Sequence, residues 1–247
     1  MKTMIQIGIQ ILVIAAITMG AQEQYSVKSF KEIIISPHIE ATLIESDEEK
    51  VVINSSTEPT DKINVEVNGK TLRVYLDGAK DIPKTEKVEK DGYKTKQSLY
   101  KGTVLNITIH YKHLQLLSIR GEEQVVCESP INQEKFKLKL YGDSEVRFHK
   151  INLDEFKVTA YGESDLKVLA GTTQEQRIIV YGSSEINLVS VENQRTKLTA
   201  YGEAEFKIFS QERIKFTAYG EAVLEYKGNP EIRRGITIGD SEIEKIN

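Results

Sequence analysis

The sequence holds one cysteine, no tryptophan, five prolines and four histidines in 247 residues. A single cysteine excludes an intramolecular disulfide in any compartment. Cys127 follows Val125 and Val126 and reads as a small buried hydrophobe; no neighbouring feature marks a reactive thiol. Basic excess is also missing. The 33 Lys and Arg stand against 37 Asp and Glu, a formal charge of −4, so nucleic acid is not an expected partner. His38, His110, His113 and His149 are scattered. His110 and His113 are three apart in or beside a strand, so they face opposite sides and cannot easily share a metal. No serine elbow, phosphate loop or CxxC pair occurs. The remainder is an ordinary soluble composition, 39% hydrophobic and 28% charged, on a length that suits one large or two small domains.

The first residues, MKTMIQIGIQILVIAAITMGAQEQ, have the form of an export signal. Lys2 supplies the positive start, the stretch from Ile5 to Ile17 is mostly apolar, and Thr18, Gly20 and Ala21 are small residues near a cleavage point. The run is short of the roughly 20 apolar residues of a membrane span, so a cleaved signal over residues 1–21 is expected rather than an anchor. No cysteine lies at the junction for lipid attachment, and no later segment has the apolar length of a span. The mature protein is expected to be soluble and exported, to the periplasm or the cell surface.

Beyond residue 120 the sequence repeats itself. KLKLYGDSEV, KVTAYGESDL, RIIVYGSSEI and KLTAYGEAEF share one pattern, and the glycines fall at 121, 142, 162, 182, 202, 220 and 239. A period near 20 residues marks a solenoid. Leu140, Leu138 and Phe136 lie two, four and six positions before Gly142, and Ala160, Val158 and Phe156 occupy the same places before Gly162. Tyr, Thr and Lys fill the alternate positions, and after the glycine Val146 and Phe148, or Leu166 and Val168, continue the apolar set. A period of two means strands with one apolar and one wet face. A coil this short pairs its strands only with the coils before and after it, which predicts an all-β parallel β-helix (β-solenoid) with coils of about 20 residues. Like residues then stack at about 4.8 Å. The tyrosines before the glycines, Tyr141, Tyr161, Tyr181, Tyr201 and Tyr219, are expected to form a column, with Arg120 and Ile238 in the same place at its two ends.

Residues 25–119 repeat less clearly and read as an N-terminal β region ahead of the glycine-marked coils at 120–247. Strands are expected at Glu32–Ile35, Ile39–Ile44, Val51–Asn54, Ile63–Val67, Leu72–Leu76 and Val104–His110. The lysine-dense stretch AKDIPKTEKVEKDGYKTKQSLYKG, 79–102, reads as an exposed loop or hairpin tip. The succession SFKEIIISPHIEATLIESDEEKVVINSS, DKINVEVNGKTLRVYL and GTVLNITIHYKHLQLLSIRGEEQVVC, followed by glycine-marked coils, resembles the head GIN domain of putative auto-transporter adhesins from Bacteroidetes-type bacteria. The resemblance covers nearly the whole mature chain and implies an exported, β-helical, non-enzymatic protein. It carries over no site residues. An auto-transporter needs a barrel of alternating membrane strands. The sequence closes on GITIGDSEIEKIN, still within the repeat, so self-transport is not expected.

Two columns of side chains could carry function. Carboxylates recur one place after the glycine (Glu122, Asp143, Glu163, Glu203, Glu221, Asp240, with Ser183 intervening) and three places after it (Glu145, Asp165, Glu185, Glu205, Glu242). Such a column could ligate a hard cation such as calcium. Solvated acids balanced by the lysine column are the preferred reading, and no cofactor is expected. The tyrosine column is either a stacking ladder that stiffens the coil or a surface for a glycan or an envelope protein. Paired carboxylates on a β-helix also suit a carbohydrate-active enzyme. However, these acids recur on every coil, and the sequence shows no irregular cluster of Asp, Arg and His. The preferred function is an adhesin-like binding or structural module. A polysaccharide lyase or hydrolase, or a periplasmic partner in envelope signalling, is the alternative.

Overall fold

The computed structural model describes residues 23–90 and 93–247, so the expected signal at 1–21 lies outside the described residues. The chain is a parallel β-helix with an antiparallel cap. Strands β1 (Gln24–Ser26), β2 (Glu32–Ile35), β3 (Ile39–Glu45), β4 (Lys50–Ser56), β5 (Ile63–Asn68), β6 (Thr71–Leu76), β7 (Thr85–Lys90), β8 (Tyr93–Ser98) and β9 (Leu105–Tyr111) form the N-terminal region. The coils follow with β10 (Leu116–Arg120), β11 (Gln124–Cys127), β12 (Ile131–Tyr141), β13 (Glu145–Phe148), β14 (Ile151–Val168), β15 (Gly171–Leu188), β16 (Val191–Phe209), β17 (Arg213–Lys227), β18 (Glu231–Ile238) and β19 (Ser241–Lys245).

From β10 to β17 each coil lies on the previous one in strict register, and the register shifts once between β17 and β18, between Phe216 and Ala218. Tyr161 pairs with Tyr181 and Gly162 with Gly182, and Tyr181 in turn pairs with Tyr201. The interior is a set of apolar columns. Leu117, Leu138, Val158, Ile178, Leu198 and Phe216 form one of them, every member at most 1% exposed. Complete burial of such a side chain contributes about 1.5–3 kcal/mol, repeated in every coil. Gln176 breaks the apolar rule. It occupies the slot of Phe156 and donates to Thr173 Oγ1 at 3.0 Å, whose hydroxyl donates to Asn193 Oδ1 at 3.0 Å. Cys127 is fully buried, as its apolar neighbours imply, and burial pushes its thiol pKa upward.

The glycine corner is tight for a geometric reason. Gly182 has φ +116°, and a Cβ there would stand 2.7 Å from the carbonyl oxygen of Gly162 in the coil before. Only glycine meets both conditions. The small residue two places on points inward: Ser144 and Ser164 are buried and their hydroxyls donate to the carbonyls of Gly121 and Gly142 at 3.0 and 3.2 Å.

The six strands expected in the N-terminal region are present, but their spatial order departs from chain order. β2 and β3 form a coil beneath β10 and β11, with Ile33 beside Leu117 and Ala41 beside Val125. β6 and β9 then lie on the far side of β2 and β3, also parallel. Their remaining edges are covered by antiparallel neighbours, β5 on β6, β4 on β9 and β1 on β4. A parallel stack would otherwise present open N–H and C=O groups, an invitation to edge pairing. The lysine-dense stretch resolves into the separate antiparallel hairpin β7–β8 and a short loop at 79–84 that returns over the coils.

Candidate functional site

The five tyrosines form one continuous ladder. Successive ring centroids are 5.1, 4.9, 4.9 and 5.0 Å apart, and the planes differ by 7°, 4°, 3° and 2°. Each residue precedes the corner glycine on the outer face of its strand, so the coil period sets the ring spacing. Tyr161, Tyr181 and Tyr201 are 40%, 38% and 41% exposed. Rings stacked in this way spend their faces on one another. What they turn to solvent is a row of edges and hydroxyls. Arg120 occupies the preceding rung, with its guanidinium carbon 5.3 Å from the Tyr141 centroid, a cation–π cap.

The two acid columns differ in how their charge is compensated. Three places after the glycine, Glu145 accepts from Gln124 at 2.7 Å and pairs with Arg147 at 3.2 Å, and Glu185 lies 3.8 Å from Lys207, which also reaches Glu225, five places after its glycine, at 3.5 Å. The cationic partners, Arg147 and Lys207, lie two places further along the strand, while Gln124 stands in the same column as Glu145. Asp165, in the middle of this column, has its pKa raised by partial desolvation and by the charges of Glu185 and Glu145. One place after the glycine, Glu122, Asp143, Glu163, Glu203 and Glu221 enter no ion pair among the described residues. Among the described residues, no three His, Cys, Asp or Glu side chains gather closely enough to hold a metal ion.

At the Arg120 end of the ladder the repeat breaks and leaves a cavity of about 490 Å³. In the β2–β3 coil the corner is Ser36-Pro37-His38, and His38 adopts the left-handed conformation, φ +71°, that glycine takes elsewhere. Its Nδ1 donates to the Gly102 carbonyl at 2.8 Å and lies 3.6 Å from the carboxylate of Glu123. Glu123 is buried, and its other oxygen accepts from the Glu122 amide at 3.0 Å. The roof is the 79–84 loop. Ser36 Oγ donates to the Lys80 carbonyl at 2.6 Å, Arg73 donates to Asp81 at 2.7 Å, and Arg120 also bonds Asp81. The Arg73 hydrogen bond, with the charges of Arg73 and Arg120, holds the Asp81 carboxyl below the usual carboxylate range.

Residues 29–230 match the family described as "Putative auto-transporter adhesin, head GIN domain". The chain belongs to the head GIN domain family. Solved structures share its fold. A putative adhesin from Bacteroides fragilis NCTC 9343 superposes with a TM-score of 0.76 at 21% identity, over 91% of this chain and 96% of its own. One from Parabacteroides merdae ATCC 43184 gives 0.65 at 16%, over 92% and 96%. A putative lipid binding protein from Parabacteroides distasonis ATCC 8503 gives 0.58 at 20%, over 92% and 98%. No curated protein matches the sequence. At these identities the likeness is one of fold.

Within the head GIN fold, the tyrosines are brought together as expected. The cavity is different. Asp81, Arg120, His38 and Glu123 line it as an irregular cluster that the sequence does not show, because 39 residues separate Asp81 from Arg120 and 85 separate His38 from Glu123 along the chain. The available signal was negative: Pro37-His38 stands where the repeat writes Gly-Glu, and Arg120 stands where it writes Tyr. Among the described residues, no helix is long and apolar enough to cross a membrane.

Proposed function

We propose that this head GIN protein is an exported, non-enzymatic binding module of the bacterial envelope, and that it meets a glycan or envelope protein along the wall of the tyrosine ladder. The observation that carries this reading is the ladder itself. Its half-exposed tyrosines are held parallel, one ring stacked on the next, by the coil, so their hydroxyls and edges are ordered before any ligand arrives. Pre-ordering lowers the entropy cost of association, and tyrosine offers large contact area at little rotamer cost. Membership in an adhesin-like family supports a surface role, and the signal-like pattern of residues 1–21, Lys2 followed by a short apolar run, supports export. Coil-to-coil repetition of the acids favours binding over catalysis, since an acid and a base need distinct surroundings to differ in proton affinity.

The test is fractionation of the tagged native protein, followed by a glycan array and an envelope-protein pull-down with wild type and the Tyr181→Ser/Tyr201→Ser variant. The tagged protein is expected outside the cytoplasm, and the variant is expected to lose the captured ligand while keeping an all-β circular dichroism spectrum. Retention in the cytoplasm would defeat the export reading. Undiminished capture by the variant, together with a lowered melting temperature, would reduce the ladder to a structural brace.

A further inference from the structure

The cavity under the 79–84 loop joins apolar walls to an excess of negative charge. Pro37, Ile82 and Pro83 face the edges of Tyr141 and Tyr161 across it. Ile82 is 82% exposed although its loop is pinned at Lys80 and Asp81, so a large apolar side chain is held out at the rim. Glu122, Glu123 and Asp143 line the same space. Asp81 is shared by Arg73 and Arg120, which leaves one arginine charge against those three carboxylates. From the open side, the corner continues past Glu163, Glu203 and Glu221, acids without an ion pair among the described residues.

The volume is within the range of ligand pockets, roughly 300–1,000 Å³. Its chemistry selects among occupants. A sugar ring would stack on an aromatic face, but the ladder and Arg120 have already used the faces of Tyr141 and Tyr161. A divalent cation needs converging ligands, and among the described residues no three His, Cys, Asp or Glu side chains gather closely enough to hold one. A lysine or arginine side chain fits both features: its aliphatic stem packs on apolar walls while its charged head reaches a carboxylate.

We propose that this cavity and the corner groove leading from it bind a basic polypeptide segment in extended form. Its leading apolar residue sits between Ile82, Pro83 and the tyrosine edges. Its basic side chains lie along Glu122, Asp143 and Glu163. The proposal rests on the reading of the chain as a binding module and names the class of its partner. Five coil steps separate Glu122 from Glu221, about 24 Å, which an extended chain covers in about seven residues.

The probe is a seven-residue peptide, an N-terminal leucine followed by alternating lysine and glycine, labelled at its C-terminus and titrated with the full protein by fluorescence anisotropy. Saturable binding is expected, weakening about tenfold or more from low to physiological salt. The Glu122→Gln/Asp143→Asn variant should bind about tenfold or more weakly, and Ile82→Ser should weaken binding without changing the salt dependence. Glu175→Gln, which removes an acid paired with Arg195 elsewhere on the coil, should bind as wild type does. All variants sit at the surface, and circular dichroism verifies their fold. The proposal is overturned by no binding, by undiminished binding to the double variant, or by equal losses with Glu175→Gln, which would mean diffuse charge attraction. Calcium binding alone in calorimetry, lost in the double variant, would replace the peptide with a metal. Glycan capture by a protein that ignores the peptide would end this proposal and leave the binding-module reading standing.

Discussion

The two halves of the molecule use the same coil differently. From β12 to β17, chain order is spatial order, every coil repeats the last, and the outer face becomes a uniform wall of tyrosines, acids and lysines. Between β1 and β11 the coil β6–β9 is laid outside β2–β3, antiparallel strands close the edge, and the corner is Pro-His instead of Gly-Glu. Repetition creates a surface with no privileged point. Interruption creates a place in the groove where apolar walls, the buried Glu123 and Arg120 meet. A solenoid acquires a local site by breaking its own rule.

The corner glycines give the largest contrast. Gly182 and Gly102 both have positive φ, +116° and +58°. In the coil an added Cβ meets the Gly162 carbonyl oxygen at 2.7 Å, whereas at Gly102 it meets nothing within 4 Å. Gly182→Ala is expected to cost about 3 kcal/mol or more, since neither the backbone angle nor the neighbouring coil can give way. Gly102→Ala should cost about 1 kcal/mol, the ordinary left-handed penalty. Thermal melts should separate them by several degrees. Equal losses would mean that coil stacking does not enforce the corner.

Tyrosine gives a smaller contrast. Tyr181 stacks on two rings at 4.9 Å. Tyr75, in the N-terminal region, donates to Glu66 at 2.7 Å and carries Lys80 over its ring at 4.2 Å, all at the surface. Tyr181→Ser should lose about 1–3 kcal/mol, two aromatic contacts' worth, and Tyr75→Ser less than about 1 kcal/mol. Urea titrations of the two variants check this order. A reversal would show that the ladder contributes no stability and that its regularity answers to something else.

The same comparison explains what the sequence made legible. Coil, register, interior columns and tyrosine ladder are all consequences of a local period, and Leu138-Lys139-Leu140-Tyr141-Gly142 states the whole geometry in five residues. The strand segments of the N-terminal half were legible for the same reason, from their alternation. Their spatial order was not. Nothing in residues 71–76 or 105–111 says that they will lie beyond β2 and β3 and not above β11. The cavity escaped for the same cause, because its parts come from segments 37–38, 81–83 and 120–143, brought together by that reordering. The 79–84 loop reads as solvated charge until Arg73 and Arg120 are seen to hold Asp81.

The smallest expected effects carry opposite signs in the two regions, which makes them a sensitive check. In the coil, Asp165 has its pKa raised by desolvation and by Glu185 and Glu145. The folded state therefore holds the proton more tightly than the unfolded chain, and stability falls as pH rises through the window just above the usual aspartate range. At neutral pH the penalty is fully present, so Asp165→Asn should stabilise by about 0.5 kcal/mol, a value kept small because the side chain is exposed and screened. Asp81 behaves in reverse. Its carboxyl is held low, first by the hydrogen bond from Arg73 and then by the charges of Arg73 and Arg120. It contributes stability above the usual aspartate range that is lost as pH falls through its lowered value. Asp81→Asn should therefore destabilise at neutral pH by a similar ~0.5 kcal/mol, since Asp81 too is largely exposed. Both variants should converge on wild type in acid, where all the carboxylates are protonated. Denaturant midpoints at pH 7 and pH 3 would show it: Asp165→Asn above wild type and Asp81→Asn below it at pH 7, with both gaps narrowed at pH 3. If both variants moved the same way at pH 7, like-charge stacking would not be the feature that distinguishes the repeated wall from the interrupted end.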